Sequence, residues 1–177
     1  MEKSRTANIM RTPRISKVVL NIAVGNSGEK LGKAETLLSR LTGKKPIRTI
    51  SKHKIPTWNL KRGEPIGCKV TLRYKDAEEM LKRGFVAKEN KIEESNFDLH
   101  GNFSFGIHEY IDIPGIKYDP EVGIFGMDVT VTMERAGYRI KRRHLKKKSV
   151  SARALLTKEE SIEFIKKKFG ITISPKI

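Results

Sequence analysis

The residues in this chain that could do chemistry are a glycine cluster beside a lysine, four histidines, one cysteine and a set of crowded cations. The stretch "VVLNIAVGNSGEK" reads as a strand entering a glycine loop and then a helix, the outline of a phosphate cradle. A Walker loop needs Gly, four residues, then Gly-Lys followed by Ser or Thr. Gly25 and Gly28 are too close together, only three residues separate Gly28 from Gly32-Lys33, and Ala34 stands where the magnesium-binding hydroxyl should be. The glycines therefore read as a strand-to-helix corner. His53, His100, His108 and His144 are scattered and no CxxC accompanies them, so neither a structural zinc site nor any other metal site is expected. His108 and Glu109 are adjacent in a strand-like run, so they point to opposite faces and cannot form a dyad. Cys68 is alone, which excludes an intramolecular disulfide and fits a reducing compartment. Its place in an apolar alternation makes it a small core residue. No Ser-His-Asp or paired-carboxylate spacing stands out. No enzyme activity and no cofactor are expected.

The cations carry the stronger signal. Against 20 Asp+Glu the chain holds 37 Lys+Arg, a net charge of +17 with a pI near 10.1. Such a surplus repels itself unless a polyanion neutralises it, so nucleic acid is the leading partner and an anionic membrane the second. Hydrophobic residues make up 37% of the 177-residue chain and charged ones 32%, which suits one globular domain facing a large polar partner. No stretch approaches the roughly 18 apolar residues of a spanning helix, and "MEKSRTANIMRTPR" lacks the apolar block of a signal peptide. A cytosolic protein is expected.

The periodicities say which elements must position these groups. Val18, Leu20, Ile22 and Val24 alternate through 17–24 as one face of a strand, leaving Lys17 and Asn21 on the other. Leu31, Ala34, Leu37, Leu38 and Leu41 then recur at helical spacing over 29–42, with Asn26 or Ser27 as N-cap, Glu29 in the first turn and Gly43 just beyond the end. A short strand is expected at 47–50, and a long polar loop at 51–63. The next strand, 67–74, turns Cys68, Val70, Leu72 and Tyr74 inward and Lys69, Thr71 and Arg73 outward. A helix at 76–83 starts at Asp76 and buries Ala77, Met80 and Leu81, and an acidic irregular stretch, "AKENKIEESNFDLHGN", follows it. Strands at 103–111 and 124–134 present Ser104, Gly106, His108 and Tyr110, and Asp128, Thr130 and Thr132, on their polar sides. The run 138–148 carries seven Lys/Arg without an acid, and Thr157 to Glu160 fits a capping box that starts a last helix. This order predicts an α+β fold: a mostly antiparallel sheet with helices on one face and the other face open, a ferredoxin-like or RNP-like two-layer sandwich. Residues 1–137 would form the domain and 138–177 a basic extension.

The open face is the expected binding surface, because Asn21, Lys69, Thr71, Arg73, Ser104, Tyr110, Thr130 and Thr132 suit phosphate, sugar and base edges. In the loop, Lys52, Lys54, Lys61 and Arg62 surround Trp58, which either stacks on a nucleotide or folds back as a lid on the core. Arg139, Lys141, Arg142 and Arg143 open the basic tail and are expected to add a salt-sensitive RNA term. A small nucleotide-dependent or hydrolytic enzyme that uses RNA only as a substrate, and a DNA-coating architectural protein, are the rival readings.

Four segments, "PRISKVVLNIAVGNSG", "LTGKKPIRT", "KRGEPIGCKVTLR" and "GNFSFGIHEYIDIPGIKYDPEVGIFGMDVTV", closely resemble the L-five family of large-subunit ribosomal proteins, which binds 5S rRNA. The tail "SVSARALLTKEESIEFIKKKFG" resembles the archaeal and eukaryotic branch. The resemblance implies a non-enzymatic scaffold in the cytoplasmic ribosome that anchors 5S rRNA in the central protuberance. Implied partners are 5S rRNA, large-subunit rRNA, an L-eighteen-type protein, the P-site tRNA near the 51–63 loop, and a small-subunit head protein across the intersubunit bridge. By position it marks Asn21, Lys44, Thr49, Thr71 and Arg73 as RNA-facing; Lys44 and Thr49 rest chiefly on it. The chain departs from the family's common small-Gly-Phe in the loop, where it has Pro56, Thr57 and Trp58.

Overall fold

The fold is that of a computed structural model, which describes residues 9–174; most of the N-terminal stretch read for a signal sequence lies outside them. Strand β1 (Arg14–Ala23) runs into helix α1 (Glu29–Thr42), then edge strand β2 (Ile47–Ile50), strand β3 (Pro65–Leu72) and helix α2 (Tyr74–Ala87). After β4 (Lys91–Glu93) come β5 (Phe103–Ile107), β6 (Met127–Glu134), the short helix α3 (Arg139–Arg142), helix α4 (Lys158–Phe169) and β7 (Thr172–Ser174). The main sheet has the order β2-β3-β1-β6-β5, and every neighbouring pair is antiparallel. With β6 as the fourth strand, β1-α1-β2-β3-α2-β6 is the β-α-β-β-α-β arrangement of ferredoxin-like folds, and β5 extends it at one edge.

Alternation decides which way the sheet faces. Val18, Leu20, Ile22, Cys68, Val70, Leu72, Val129 and Val131 are at most 3% exposed and meet Leu31, Ala34, Leu37, Leu38, Ala77 and Leu81 from the helices. α1 packs over β3 and α2 over β1. Edge strand β2 buries none of its residues fully, and Arg48 on its helix side is clamped to Glu35 of α1, its Nη2 donating to Oε2 at 3.0 Å.

The C-terminal residues share this core. Leu156, Ile165 and Ile171 are at most 4% exposed within the same cluster, and the Phe169 ring sits edge-on to Phe85, 5.2 Å between centroids. Thr157 and Glu160 form the expected capping box, with Glu160 Oε2 accepting from the Thr157 amide at 3.2 Å. Gly101, at φ +74, allows the docking of α4, because a Cβ there would lie 1.9 Å from Ser161 Oγ. A second sheet, parallel β4-β7, pairs Ile92 with Ile173; the two strands are too distant in sequence for local pattern to show it.

Several expectations need correction. The N-cap of α1 is Gly28, φ +130, with no side-chain cap bond, so neither Asn26 nor Ser27 fills that role. The third strand stops at Leu72, and Tyr74 is not inward: it starts α2 at φ +56 and is 86% exposed. α2 is longer than expected and also buries Gly84 and Phe85. β5 ends at Ile107, after which a 3-10 turn at Tyr110–Asp112 breaks the alternation. Tyr110 is consequently buried beneath the sheet, where its hydroxyl accepts from the Asp119 amide at 3.2 Å.

Candidate nucleic-acid interface

At the glycine corner the amides that leave β1 are already taken up by the sheet. Val24 and Gly25 both donate to the Ile66 carbonyl, at 3.0 and 2.9 Å, and the Gly28 carbonyl already accepts from Leu31 and Gly32. The corner closes β1 onto β3.

The opposite face of the sheet is open and ruled into rows by the strand register. One row runs Ile47, Lys69, Asn21, Asp128, Gly106; the next runs Thr71, Val19, Thr130, Ser104; Lys17 and Thr132 begin a third. Lys69, Thr71, Ser104, Asp128 and Thr130 are exposed, and Lys17, Val19, Asn21 and Thr132 are half-buried between neighbours. Arg73 follows directly on β3 and is exposed. Among the described residues Asn21, Lys69, Thr71 and Arg73 have no side-chain hydrogen bond or ion pair, so all their donors and acceptors remain available. The row through Asn21 is polarised: Lys69 stands on one side of it and Asp128 on the other. Polyanion is therefore favoured on the β2-β3-β1 half and disfavoured toward β5, where Glu109 and Asp112 are also exposed.

Thr49 lies in β2 opposite Gly67, half-buried, at the loop end of this half. Lys44 is exposed but not free: its ammonium pairs with Asp76, whose carboxyl that bond holds below the usual range. Lys44 thus ties the end of α1 to the start of α2 and contributes less field than a lone lysine.

The 51–63 loop is an ordered projection. Ser51 N donates to the Glu64 carbonyl at 2.8 Å and Gly63 N to the Ser51 carbonyl at 2.9 Å, closing its base, while Ile55 and Leu60 bridge its neck. Leu60, 7% exposed, is the residue that turns inward. Trp58 is 68% exposed, so it is not a lid on the core, and Lys52, Lys54, Lys61 and Arg62 are exposed around it. Asn59 takes the left-handed conformation at φ +52 that lets the chain turn back without a glycine.

The tail cations divide by partner. Arg139 and Lys141 are exposed and unpaired among the described residues. Arg142 bonds Glu134 and reaches Ser16 Oγ at 3.4 Å, and Arg143 Nε donates to the Lys146 carbonyl at 2.9 Å. Glu134 is the anchor, with its side chain 6% exposed and also accepting from Arg14 at 2.9 Å. Burial pushes its carboxyl up, but the Arg14 hydrogen bond, the Arg142 charge and the Ser16 hydroxyl together outweigh this and leave it below the ordinary glutamate value. The start of the basic run is thereby fixed at one end of the open face. Sequence reasoning missed this anchor and the Lys44–Asp76 pair, because both join residues whose proximity only the fold creates.

No group of three or more His, Cys, Asp or Glu side chains could hold a metal among the described residues. No helix there is long and apolar enough to cross a membrane.

Comparison with known proteins agrees with the geometry. Residues 8–61 match the family "Ribosomal protein L5", and residues 65–169 match the model for the C-terminus of the same ribosomal family. The large ribosomal subunit protein uL5 of Methanosphaera stadtmanae is 49% identical over 166 residues, covering 94% of this chain and 99% of that one. The uL5 of Sulfurisphaera tokodaii is 49% identical over 174 residues, 98% of each chain, and that of Methanococcus vannielii 48% identical over 167 residues, 93% and 92%. An antiparallel sheet under two helices, a free basic half-face and likeness over nearly the whole length have one common explanation: the chain belongs to the ribosomal protein L5 family.

Proposed function

We propose that the protein is a non-catalytic constituent of the large ribosomal subunit, in the cytoplasmic ribosome, that holds 5S rRNA against the β2-β3-β1 half of its open sheet. Arg73 and Lys69 contact phosphates, Asn21 and Thr71 hydrogen-bond sugar or base edges, and the RNA is recognised by shape more than by sequence. Thr49 borders this half and Lys44 supports it from below. The observation that carries the reading is the row Lys69-Asn21 with Thr71 and Arg73 beside it, all unpaired on an uncovered face of a +17 chain. The projecting loop with Lys52, Lys54, Trp58, Lys61 and Arg62 is suited to touch the P-site tRNA. Arg139 and Lys141 of the 138–177 extension add non-specific affinity for large-subunit rRNA. An L-eighteen-type protein and a small-subunit head protein complete the neighbours in this proposal.

Filter binding of 5S rRNA tests the assignment. Arg73→Ala should weaken binding by about 1–3 kcal/mol and lower the slope of log affinity against log salt by about one phosphate. Unchanged affinity and slope would refute it. Equal affinity for duplex DNA and 5S rRNA at moderate salt would favour the DNA-coating reading.

A further inference from the structure

Tyr74 is explained by nothing in the fold. Its backbone is left-handed, φ +56, a conformation that glycine adopts freely and a bulky side chain resists. Strain of this kind is ordinarily offset by burial or hydrogen bonding, yet the side chain is 86% exposed, and among the described residues its ring and hydroxyl have no partner. Conformation favours glycine there and packing does not favour an aromatic ring.

Its surroundings suggest what the ring is for. Tyr74 directly follows Arg73 at the end of β3, and Lys75, also exposed, comes next. Because Val18 pairs with Leu72, that end of β3 lies beside the β1 residues Lys17 and Ser16, and Arg142 reaches Ser16. The ring is thus presented in water among cations, at the end of the half-face assigned to RNA. An exposed aromatic in a basic setting stacks on a nucleobase, and only an unpaired base offers its full face.

We propose that Tyr74 is a stacking platform for an unpaired base of the bound RNA, so that this site takes an RNA with a bulged or looped-out nucleotide beside a helical segment. This rests on the RNA-binding reading given above. The backbone strain is the cost of placing an aromatic ring where the chain turns from strand to helix.

The consequence is an unusual pair of opposite effects. Tyr74→Gly should raise Tm by about 2–4 °C by relieving the backbone. The same change should weaken binding to an in vitro transcript of the source organism's 5S rRNA by about 5- to 150-fold, the range of one base–aromatic stack. The salt slope should stay that of the parent, since no phosphate contact is lost. Tyr74→Phe should bind within about twofold of the parent, and Tyr74→Leu should lose as much as the glycine variant. Affinity for a fully paired RNA duplex should be the same for all four proteins. Failure of the parent to bind 5S rRNA would remove the underlying reading along with this one. A parent that binds, with a glycine variant that binds equally well, would overturn the stacking role alone and point to a protein neighbour at this position. A lower Tm for the glycine variant, or equal losses on duplex and 5S rRNA, would also overturn it.

Discussion

Glu134→Gln isolates the anchor that fixes the basic tail to the sheet. The carboxylate is 6% exposed and accepts from Arg14 at 2.9 Å through one oxygen and from Arg142 through the other. Glutamine keeps the shape, loses the charge and turns an amide N–H₂ toward a guanidinium. Breaking a fully buried pair costs about 3–5 kcal/mol. Here the two arginine side chains are 58% and 53% exposed and stay hydrated when released, so the loss is set by charge-assisted hydrogen bonds at about 2 kcal/mol. For a domain of this size that is a fall in Tm of about 4–8 °C at pH 7. The pH dependence follows from the direction of the shift. Glu134 is lowered in the folded state, so its contribution is complete above the ordinary glutamate pKa of about 4.3 and is lost as pH falls through its own lower value. Urea denaturation of both proteins between pH 7 and pH 3 should therefore show a gap that is constant near neutrality and closes below about pH 4. Equal stability at pH 7, or a gap that persists into acid, would refute the anchor.

Two further outcomes concern the packing. Gly101→Ala should destabilise the protein by about 3 kcal/mol or more in urea, adding a clash with Ser161 to an unfavourable φ, whereas Gly170→Ala, at φ +67 with open space around it, should cost only about 1 kcal/mol; similar losses would mean that α4 is not closely docked. Cys68 is fully buried, and burial together with the nearby Glu35 charge pushes its thiol up to about 11. Alkylation at pH 8 should therefore follow unfolding, and rapid labelling of the native protein would contradict that placement.

The period-two and helical patterns are enough to read the sheet, its greasy side and its free side. The bounds 29–42 and 47–50 and the Thr157–Glu160 cap coincide with the structure, and alternation alone puts Asn21, Lys69 and Thr71 on one face. Alternation cannot, however, say where a strand stops. Parity carries Tyr74 and Tyr110 past the true ends of their strands, one into a left-handed helix start and the other into a 3-10 turn. Nor does a local pattern see partners far away in the chain. Arg14 and Arg142 meet at Glu134, Lys44 meets Asp76, and β4 meets β7 only after the chain has folded. The lysine count does not distinguish free cations such as Lys69 from paired ones such as Lys44. Trp58 has two readings in the sequence, and its exposure in the folded loop removes the one that makes it a lid on the core.

Two charge-matched substitutions test the central claim most directly. Lys69→Glu alters the open face, and Lys82→Glu alters the exposed side of α2 in the helix layer by the same two charge units. At 0.15 M salt, charges beyond about 8 Å are largely screened, so a contact effect separates from a net-charge effect. Lys69→Glu should weaken 5S rRNA binding at least about tenfold, and Lys82→Glu by less than about threefold. Equal losses would mean that net charge alone draws the RNA, and a larger loss for Lys82→Glu would put the RNA on the helices.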